Sequence, residues 1–543
     1  MATMAVTASK RRYGARAARD KAIRRAGVCS ALLALAFAPT AHAIDWRFEP
    51  YVNASSTYTD NVKQSSSNTQ DALILTATPG FTLRSEGSRR VQASLQYGLT
   101  GVKRFGGDQS DNFYHSLNAV GKAELVQDFL FIDGNAHISQ QLISLLGSPA
   151  DATVNNSNRT TVGTYSISPY IQQRLGTFAF AQARYTASGA IFQNNVAPNA
   201  NSNSFAASLR SGTRFTDLSW GLNYSLRKLQ NSNAINSVNN TDATFESASA
   251  TAGYALTRQF RVFGTVGHDS NDYLSRSGTS GSFYSAGFGW SPTRRTSVEA
   301  SAGERYFGRT FSLAANHRTR LTQWRMSYSE DVSDISQQLL LQSGRTYWKC
   351  PLGAGRNEYI LVTDPNQRPM STCDGPYEPF ELLNLATTQQ ELLDLYANLG
   401  LRGDLGIGTA NGIFIIKSLT AGVSWDIGKL GFGLSAQDTK RLYQQLSNAQ
   451  DHIQSMVGTV SYRLSAATTA NSSLSLTRTS LDSLVAGGVA RQDDLLSFSL
   501  GLNRRFADKL YGALTFRHTQ RSSNVANADY DENSLTASVN MRF

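Results

Sequence analysis

Apolar and polar residues alternate one by one along most of the chain after residue 44. The closing segment SLTASVNMRF shows the pattern, since its apolar positions are Leu535, Ala537, Val539, Met541 and Phe543. The segments VQASLQYGLT, LSWGLNYSLR and LSFSLGLN repeat it, with Ser, Thr, Asn, Gln and Gly between the apolar residues. A side-chain period of two is typical of a β-strand with one apolar face. The sequence therefore predicts an all-β protein.

The links between these predicted strands alternate in length. Long polar links such as 60–71, 141–158 and 228–242 are separated by brief ones such as 85–90 and 214–217. Bacterial outer-membrane barrels have this rhythm, because their periplasmic turns are tight and their external loops are longer. The strands of a soluble sandwich or propeller also alternate apolar and polar residues. Such a fold has no physical reason to make every second loop long and the others short. We predict a single transmembrane antiparallel up-and-down β-barrel of about 22 strands, within a range of about 20 to 24.

The barrel interpretation also explains why the chain finishes on an apolar strand. A bilayer offers no hydrogen-bond partners, so the sheet must close, and the last strand pairs with the first. Its apolar side then faces lipid, which makes outer-membrane lipid and lipopolysaccharide the expected surroundings. A terminal aromatic residue also resembles the signal read by the barrel assembly machinery. We therefore treat Leu535, Ala537, Val539, Met541 and Phe543 as a C-terminal assembly strand.

Residues 1–43 have the pattern of a cleaved signal peptide. A basic region is followed by the apolar stretch VCSALLALAFA and by AHA, which predicts cleavage between Ala43 and Ile44. A membrane anchor is the alternative, but the apolar part is short and ends at Pro39. Removing these residues leaves 43 basic against 39 acidic residues, a net charge of +4 instead of +11. This balance does not indicate a nucleic-acid partner. Residues 44–543 are predicted to form the barrel, integral to the outer membrane.

The segment 331–411 interrupts the alternation at the position of an external loop. It contains Cys350 and Cys373, an even pair that permits one disulfide in an exported protein, with two unpaired thiols as the alternative. Within it, TTQQELLDLYANLG predicts a short helix, with Thr388 and Glu391 as a capping box and Gly400 after its end. We expect either a loop that folds into or over the lumen or a compact surface loop. Because structureless loops of this length are uncommon, we expect part of this segment to have ordered structure.

No motif in the sequence indicates catalysis, a cofactor or a metal. There is no nucleophile elbow, GIGTANG has the wrong spacing for a dinucleotide site, and the histidines are scattered. An outer-membrane enzyme would assemble a Ser/His or Asp/His set at the barrel rim or lipid face. Several arginines fall on or beside strands, and they would favour anionic solutes in the lumen or pair with nearby acidic residues. They are Arg104, Arg184, Arg210, Arg227, Arg325, Arg463 and Arg517.

Two stretches resemble a known family. Residues 46–62, WRFEPYVNASSTYTDNV, are similar to the opening strand of the PEP-CTERM system-associated outer-membrane proteins, which ends in a Thr-Asp-Asn turn, here Thr59, Asp60 and Asn61. Residues 412–444 follow the late hairpin of that family. Porin-type barrels of exopolysaccharide export systems share the TDN start. The resemblance implies a Gram-negative host that makes exopolysaccharide, and exopolysaccharide or export-system proteins as partners. It supplies no catalytic residues.

Three functions remain open at this point. The first hypothesis is a conduit or export accessory linked to extracellular polysaccharide. A structural or assembly scaffold that binds other envelope components is second, and an outer-membrane barrel enzyme is third. The first predicted strand begins so close to the cleavage site that no N-terminal plug is expected, which argues against a plugged, energy-coupled transporter.

Overall fold

The computed structural model describes residues 44–543 except 87, 89, 108–109, 145–146, 148, 150–152, 194–197, 233–241, 276–277, 344–346, 352–358, 363–377, 381–411, 445–449 and 483–489. One helix, α1 (Ile335–Ser343), follows the fifteenth strand. The barrel wall consists of β1 (Asp45–Thr59), β2 (Ala72–Glu86), β3 (Val91–Phe105), β4 (Asn112–Val126), β5 (Leu130–Leu142), β6 (Arg159–Leu175), β7 (Ala179–Phe192), β8 (Asn199–Ser211), β9 (Leu218–Ser232), β10 (Ala243–Ala255), β11 (Phe260–Asp272), β12 (Ser280–Thr293), β13 (Thr296–Arg305), β14 (Gly308–Arg318), β15 (Thr322–Asp334), β19 (Ile413–Ile427), β20 (Leu430–Tyr443), β21 (Gln450–Arg463), β22 (Thr468–Leu481), β23 (Arg491–Ala507), β24 (Leu510–Ser523) and β25 (Tyr530–Arg542). Three short strands, β16 (Tyr347–Pro351), β17 (Tyr359–Val362) and β18 (Glu378–Phe380), form a separate sheet.

The wall strands form one closed antiparallel sheet of 22 strands. Strand β25 pairs with β1 from Arg542 opposite Tyr51 to Ser534 opposite Thr59, so the ring has no free edge. Strand β15 pairs directly with β19, with Asp334 opposite Ile413, so the whole intervening segment leaves and re-enters the wall at one point. The predicted fold class and the predicted strand number are confirmed.

The apolar face of the strands points out of the barrel. On β25, Leu535, Val539 and Met541 expose 47%, 49% and 44% of their surface, whereas a soluble sandwich would bury them. Large exposed apolar residues recur in the same way around the ring. Such an exterior is stable only against hydrocarbon, so the chain is an integral outer-membrane barrel.

Tryptophans mark the periplasmic edge of the apolar band. Trp46, Trp220, Trp290, Trp324 and Trp425 all lie at outward positions near the periplasmic ends of their strands. Tryptophan prefers the membrane–water interface, where its apolar ring and its polar N–H are both accommodated, and transmembrane barrels carry aromatic girdles there.

The inward face is lined by cross-strand pairs of hydroxyl groups. They are Ser55–Thr76, Thr57–Thr536, Thr78–Thr100, Ser168–Thr186, Thr251–Thr265, Ser301–Ser312, Ser327–Thr420, Ser418–Thr439 and Ser473–Ser499, with oxygens 2.6–3.1 Å apart. These pairs satisfy the polar side chains without adding charge. The lumen wall is therefore hydrophilic where these pairs lie.

Several sequence predictions fall outside the described residues. The signal peptide, the helix predicted at 387–400 and Cys373 belong to this group. Cys350 lies in β16, and its bond to Cys373 stays a prediction. The external link at 306–307, between β13 and β14, has only two residues and departs from the long-link rhythm.

Candidate functional site: the closed external mouth of the lumen

The external ends of β15 and β19 lose the alternation seen elsewhere in the wall. Val332, Asp334, Ile413, Phe414 and Ile415 are all buried, so both faces of this strand pair are covered. A wall strand between lipid and lumen would bury neither face so completely. Beyond Tyr328, β15 pairs with β19 but no longer with β14, whereas β19 stays paired with β20 as far as Phe414. The external tip of this strand pair therefore curls from the ring towards the lumen.

Helix α1 begins at this inward-leaning tip, and Asp334 fixes its start. One carboxylate oxygen of Asp334 accepts a hydrogen bond from the backbone N–H of Gln337 at 3.1 Å, which is the geometry of an N-cap. The other oxygen accepts from the Arg227 guanidinium at 2.6 Å. Arg227 lies on β9, six positions from β15 around the ring, so this ion pair spans the lumen. One side chain thus caps the helix and ties it to a wall strand about a quarter of the way around the ring.

The apolar side of α1 packs on a distant part of the wall. Ile335 and Leu339 contact Val162 of β6 and Phe192 of β7, and Phe414 of β19 completes the cluster. Strands β7 and β15 are eight positions apart in a ring of 22, more than a third of the way around it. Burying these side chains removes apolar surface from the water-filled mouth, at about 25 cal/mol per Å².

The other face of the β15–β19 tip meets a second apolar cluster. Val332 and Ile415 belong to it together with Leu229 of β9, and Tyr273 and Tyr306 close it from the adjacent external links. The two tyrosine hydroxyls share a hydrogen bond of 2.9 Å. Burial raises the pKa of both phenols, so both stay neutral at physiological pH.

The described residues of the external link between β5 and β6 (143–144, 147, 149 and 153–158) also lie at the mouth. Asn158 joins the two ends of this link, because its side-chain amide accepts a hydrogen bond from Ser144 N at 2.9 Å and donates one to Ser144 O at 2.7 Å. Gly147 lies against this amide, and a Cβ at position 147 would clash with it at 2.2 Å. Side chains from distant strands hold the far end: Arg104 donates to Thr153 O at 2.8 Å and Arg521 donates to Gly147 O at 3.0 Å. We refer to residues 143–158, 332–343 and 413–415 as the mouth closure.

An ion pair with almost no solvent contact supports the base of the mouth closure. Arg441 of β20 and Asp451 of β21 are 0% and 2% exposed, with Nε–Oδ1 and Nη2–Oδ2 distances of 2.8 and 2.7 Å. The Tyr443 hydroxyl donates to the same carboxylate at 2.7 Å, and the guanidinium lies 5.5 Å from the Phe414 ring centroid.

We expect Asp451→Ala to destabilise the folded barrel by about 3–5 kcal/mol, because it leaves the Arg441 charge buried without compensation. The measurement is urea unfolding in detergent, followed by the heat-dependent migration of the barrel on SDS gels. Asp494→Ala is the matched control, since Arg478 and Asp494 form an exposed pair whose loss should change little. An equal effect of both substitutions would contradict the assigned role of burial.

The arginines predicted to face the lumen occupy inward positions, and several of their charges are compensated. Arg184 forms an ion pair with Asp133 at 2.9 Å and lies 3.9 Å from the Tyr170 ring centroid. Arg227 pairs with Asp334, as described above. The pairing alternative therefore describes both residues, and the pairing residue of Arg227 lies across the lumen, which the sequence did not indicate.

The described residues do not assemble a catalytic set. His268 shares a hydrogen bond of 3.2 Å with Ser282, and His452 lies 2.8 Å from Asp438, but these pairs occupy different parts of the outer wall. Within the described part of the chain no histidine bonds both a hydroxyl and a carboxylate, as a Ser/His/Asp mechanism requires. No described group of His, Cys, Asp and Glu could hold a metal ion. None of the described helices is long and apolar enough to span a bilayer.

The TDN turn that carries the family resemblance has a structural role at the barrel seam. Thr59 donates to Glu532 at 2.9 Å, and the Asn61 amide donates to Asp531 O at 2.9 Å. Asp60 accepts from both the backbone N–H and the side-chain amide of Asn533, each at 2.8 Å. All three residues thus join β1 to β25 at the external end of the seam.

Comparison with known proteins gives solved structures only. No family model and no curated protein matches the chain. The FrpB iron transporter from Neisseria meningitidis (F5-1 variant) is 12% identical, with a TM-score of 0.48 over 91% of this chain and 82% of that chain. The siderophore receptor PirA from Acinetobacter baumannii is 8% identical, with a TM-score of 0.48 over 92% and 81%. The alcaligin receptor FauA from Bordetella pertussis is 11% identical, with a TM-score of 0.42 over 92% and 77%.

Proposed function

We propose that this barrel is a gated conduit for hydrophilic solutes across the outer membrane. The observation that carries the proposal is the Arg227–Asp334 ion pair, which holds α1 across the lumen. A wall of hydroxyl pairs supplies a wet path below it. The closure consists of chain segments held by a few contacts, so it can be opened without breaking the ring of strands. A scaffold requires neither feature.

The cross-strand hydroxyl pairs of the lumen wall support polyhydroxylated solutes as the cargo. These pairs offer hydrogen-bond donors and acceptors along the wall, and the Arg184 and Arg227 charges are compensated by Asp133 and Asp334. With the resemblance at Thr59–Asn61, this favours a place in exopolysaccharide export, as a conduit or export accessory. Liposome swelling tests the cargo: neutral oligosaccharides should enter an opened variant faster than uronic acid oligomers of equal length.

Asp334→Asn is the sharpest test of the gate. Asparagine caps a helix as well as aspartate does, so α1 keeps its start while the ion pair to Arg227 is lost. Because a hydrogen bond to a charged group contributes about 1.5–3 kcal/mol, the open fraction should rise about tenfold or more. The measurement is channel opening in planar bilayers that contain the purified protein.

Asp133→Asn is the matched control for the gate. It removes the ion pair to Arg184, which joins β5 and β7 within one side of the wall and does not span the lumen. Its open fraction should match that of the native protein. If Asp334→Asn and Arg227→Met produce no more channel openings than the native protein, and envelope proteins co-purify with the barrel, the scaffold hypothesis replaces the conduit hypothesis.

A further inference from the structure

The outer wall carries a groove of about 500 Å³ across β19–β24, on the side that faces lipid. Ala421 and Ala436 form its floor, and Leu419, Met456 and Leu476 rise around them. The small alanine side chains leave the space that leucine and phenylalanine fill elsewhere on the exterior. Because the groove opens into the bilayer, its occupant must be a lipid chain or a membrane-embedded partner.

Polar side chains border the groove only at its external end. Asp438, Gln454, Arg478, Asp494 and Gln520 line this rim, while the part towards the bilayer centre is apolar. Strand β20 runs from the periplasmic side to the external side, so Asp438 lies one outward position above Ala436. The groove therefore matches an amphiphile in the outer leaflet, with its head at the rim and its chain below.

Two lysines above the rim indicate the charge of the head group. Lys417 of β19 and Lys440 of β20 are direct cross-strand partners on the outward face. Like charges in this arrangement destabilise a sheet. Glu330 lies 3.3 Å from Lys417, but no ion pair to Lys440 occurs among the described residues. An anion between the two lysines would relieve their repulsion.

We propose that this surface binds a phosphorylated glycolipid of the outer leaflet. Its phosphate lies between Lys417 and Lys440, and one acyl chain runs along the groove over Ala436 and Ala421. Four residues of β20 separate Lys440 from Ala436, about 13 Å at roughly 3.3 Å per residue, which leaves room for the sugar between phosphate and chain. The site lies on the outer wall, on the lipid side of the sheet.

Native mass spectrometry of the full barrel in detergent tests the proposal with two probes, bisphosphorylated lipid A and the same lipid after removal of both phosphates. Lys417→Gln combined with Lys440→Gln should weaken binding of the phosphorylated probe about tenfold or more, since each lysine at a membrane surface contributes to anion affinity. Binding of the dephosphorylated probe should not change. Ala436→Leu, which fills the groove, should weaken binding of both.

Matched controls lie elsewhere on the exterior. Lys228→Gln removes an exposed lysine of β9, and Ala286→Leu enlarges an exposed alanine of β12; neither should alter binding. Heat-dependent migration on SDS gels verifies that every variant is folded. The proposal fails if the double lysine variant binds the phosphorylated probe normally or if Ala286→Leu acts like Ala436→Leu. It also fails if Ala436→Leu leaves lipid binding intact but releases a co-purifying envelope protein.

Discussion

Removal of residues 335–411 is expected to raise the single-channel conductance on the order of tenfold, because barrels of 16–18 strands already leave an aqueous channel when the lumen is free. The deletion is feasible because Asp334 and Ile413 are direct partners in the wall, so a short Gly/Ser turn can join β15 to β19. It removes α1 and with it the packing of Leu339 on β6 and β7. Planar bilayers with the refolded protein give the measurement.

Two further variants separate opening from general damage. Leu339→Asp keeps the chain length but introduces a charge into the apolar cluster, and we expect it to raise the conductance less than the deletion does. Removing residues 145–156 together with 335–411 should add a further increase, because Arg104 and Arg521 hold that link over the same mouth. A folded deletion variant that conducts no more than the native barrel would exclude the gate.

Loss of the TDN contacts is expected to weaken the seam at which the barrel closes. Asp60→Ala combined with Asn61→Ala removes the hydrogen bonds to Asn533 and to the Asp531 carbonyl. The Asp60 bonds are exposed and the Asn61 bond is half-buried, so at about 0.5–1.5 kcal/mol for each of the three bonds the seam should lose about 1.5–4.5 kcal/mol. The folded form should then unfold at lower temperature on SDS gels and in urea titrations.

The seam assignment requires a control at a hairpin that is not the seam. Asn271→Ala with Asp272→Ala alters the same residue types at the end of β11, where Asn271 donates to Thr279 O at 2.8 Å. Its neighbouring strands remain connected along the chain, so this pair should destabilise the barrel less. A disulfide between Ala54→Cys and Val539→Cys, which are direct partners across the seam, should restore the stability of the Asp60/Asn61 variant. An unrescued variant would place the defect elsewhere.

The barrel could be predicted from the sequence because its cause is local. Each strand must present an apolar face to lipid and a polar face to water, so Leu535 and Val539 alternate with Ser534 and Ser538 whatever the distant contacts are. The alternation of long and short links also indicates which ends of the strands are external, because the long links are external in outer-membrane barrels. This is why the strand number and the closing pair β1–β25 follow from one sequence.

The mouth closure could not be predicted, because its contacts join distant residues without a local pattern. Asp334 and Arg227 are 107 residues apart, and the sequence indicates only that Arg227 falls on a strand. The run Ile413–Ile415 reads as an ordinary strand start, although the structure covers both of its faces. Helix α1 was also missed, since the segment from 331 onwards indicated only that the alternation stops. Asp334 followed by Gln337 is the one local signal, as an N-cap and its N3 position.

The alternation of apolar and polar residues in the wall strands also affects how the unfolded chain interacts with a membrane. While unfolded, each segment mixes apolar residues with polar and charged ones. On the insertion scale, one Arg, Lys or Asp at the centre of a segment costs about 2.5–3.5 kcal/mol, more than several leucines at about 0.3–0.6 kcal/mol each recover. Such strands therefore lack the continuous apolar length that acts as a stop-transfer signal in an inner-membrane translocon. A continuous apolar surface forms only when the strands pair into the barrel.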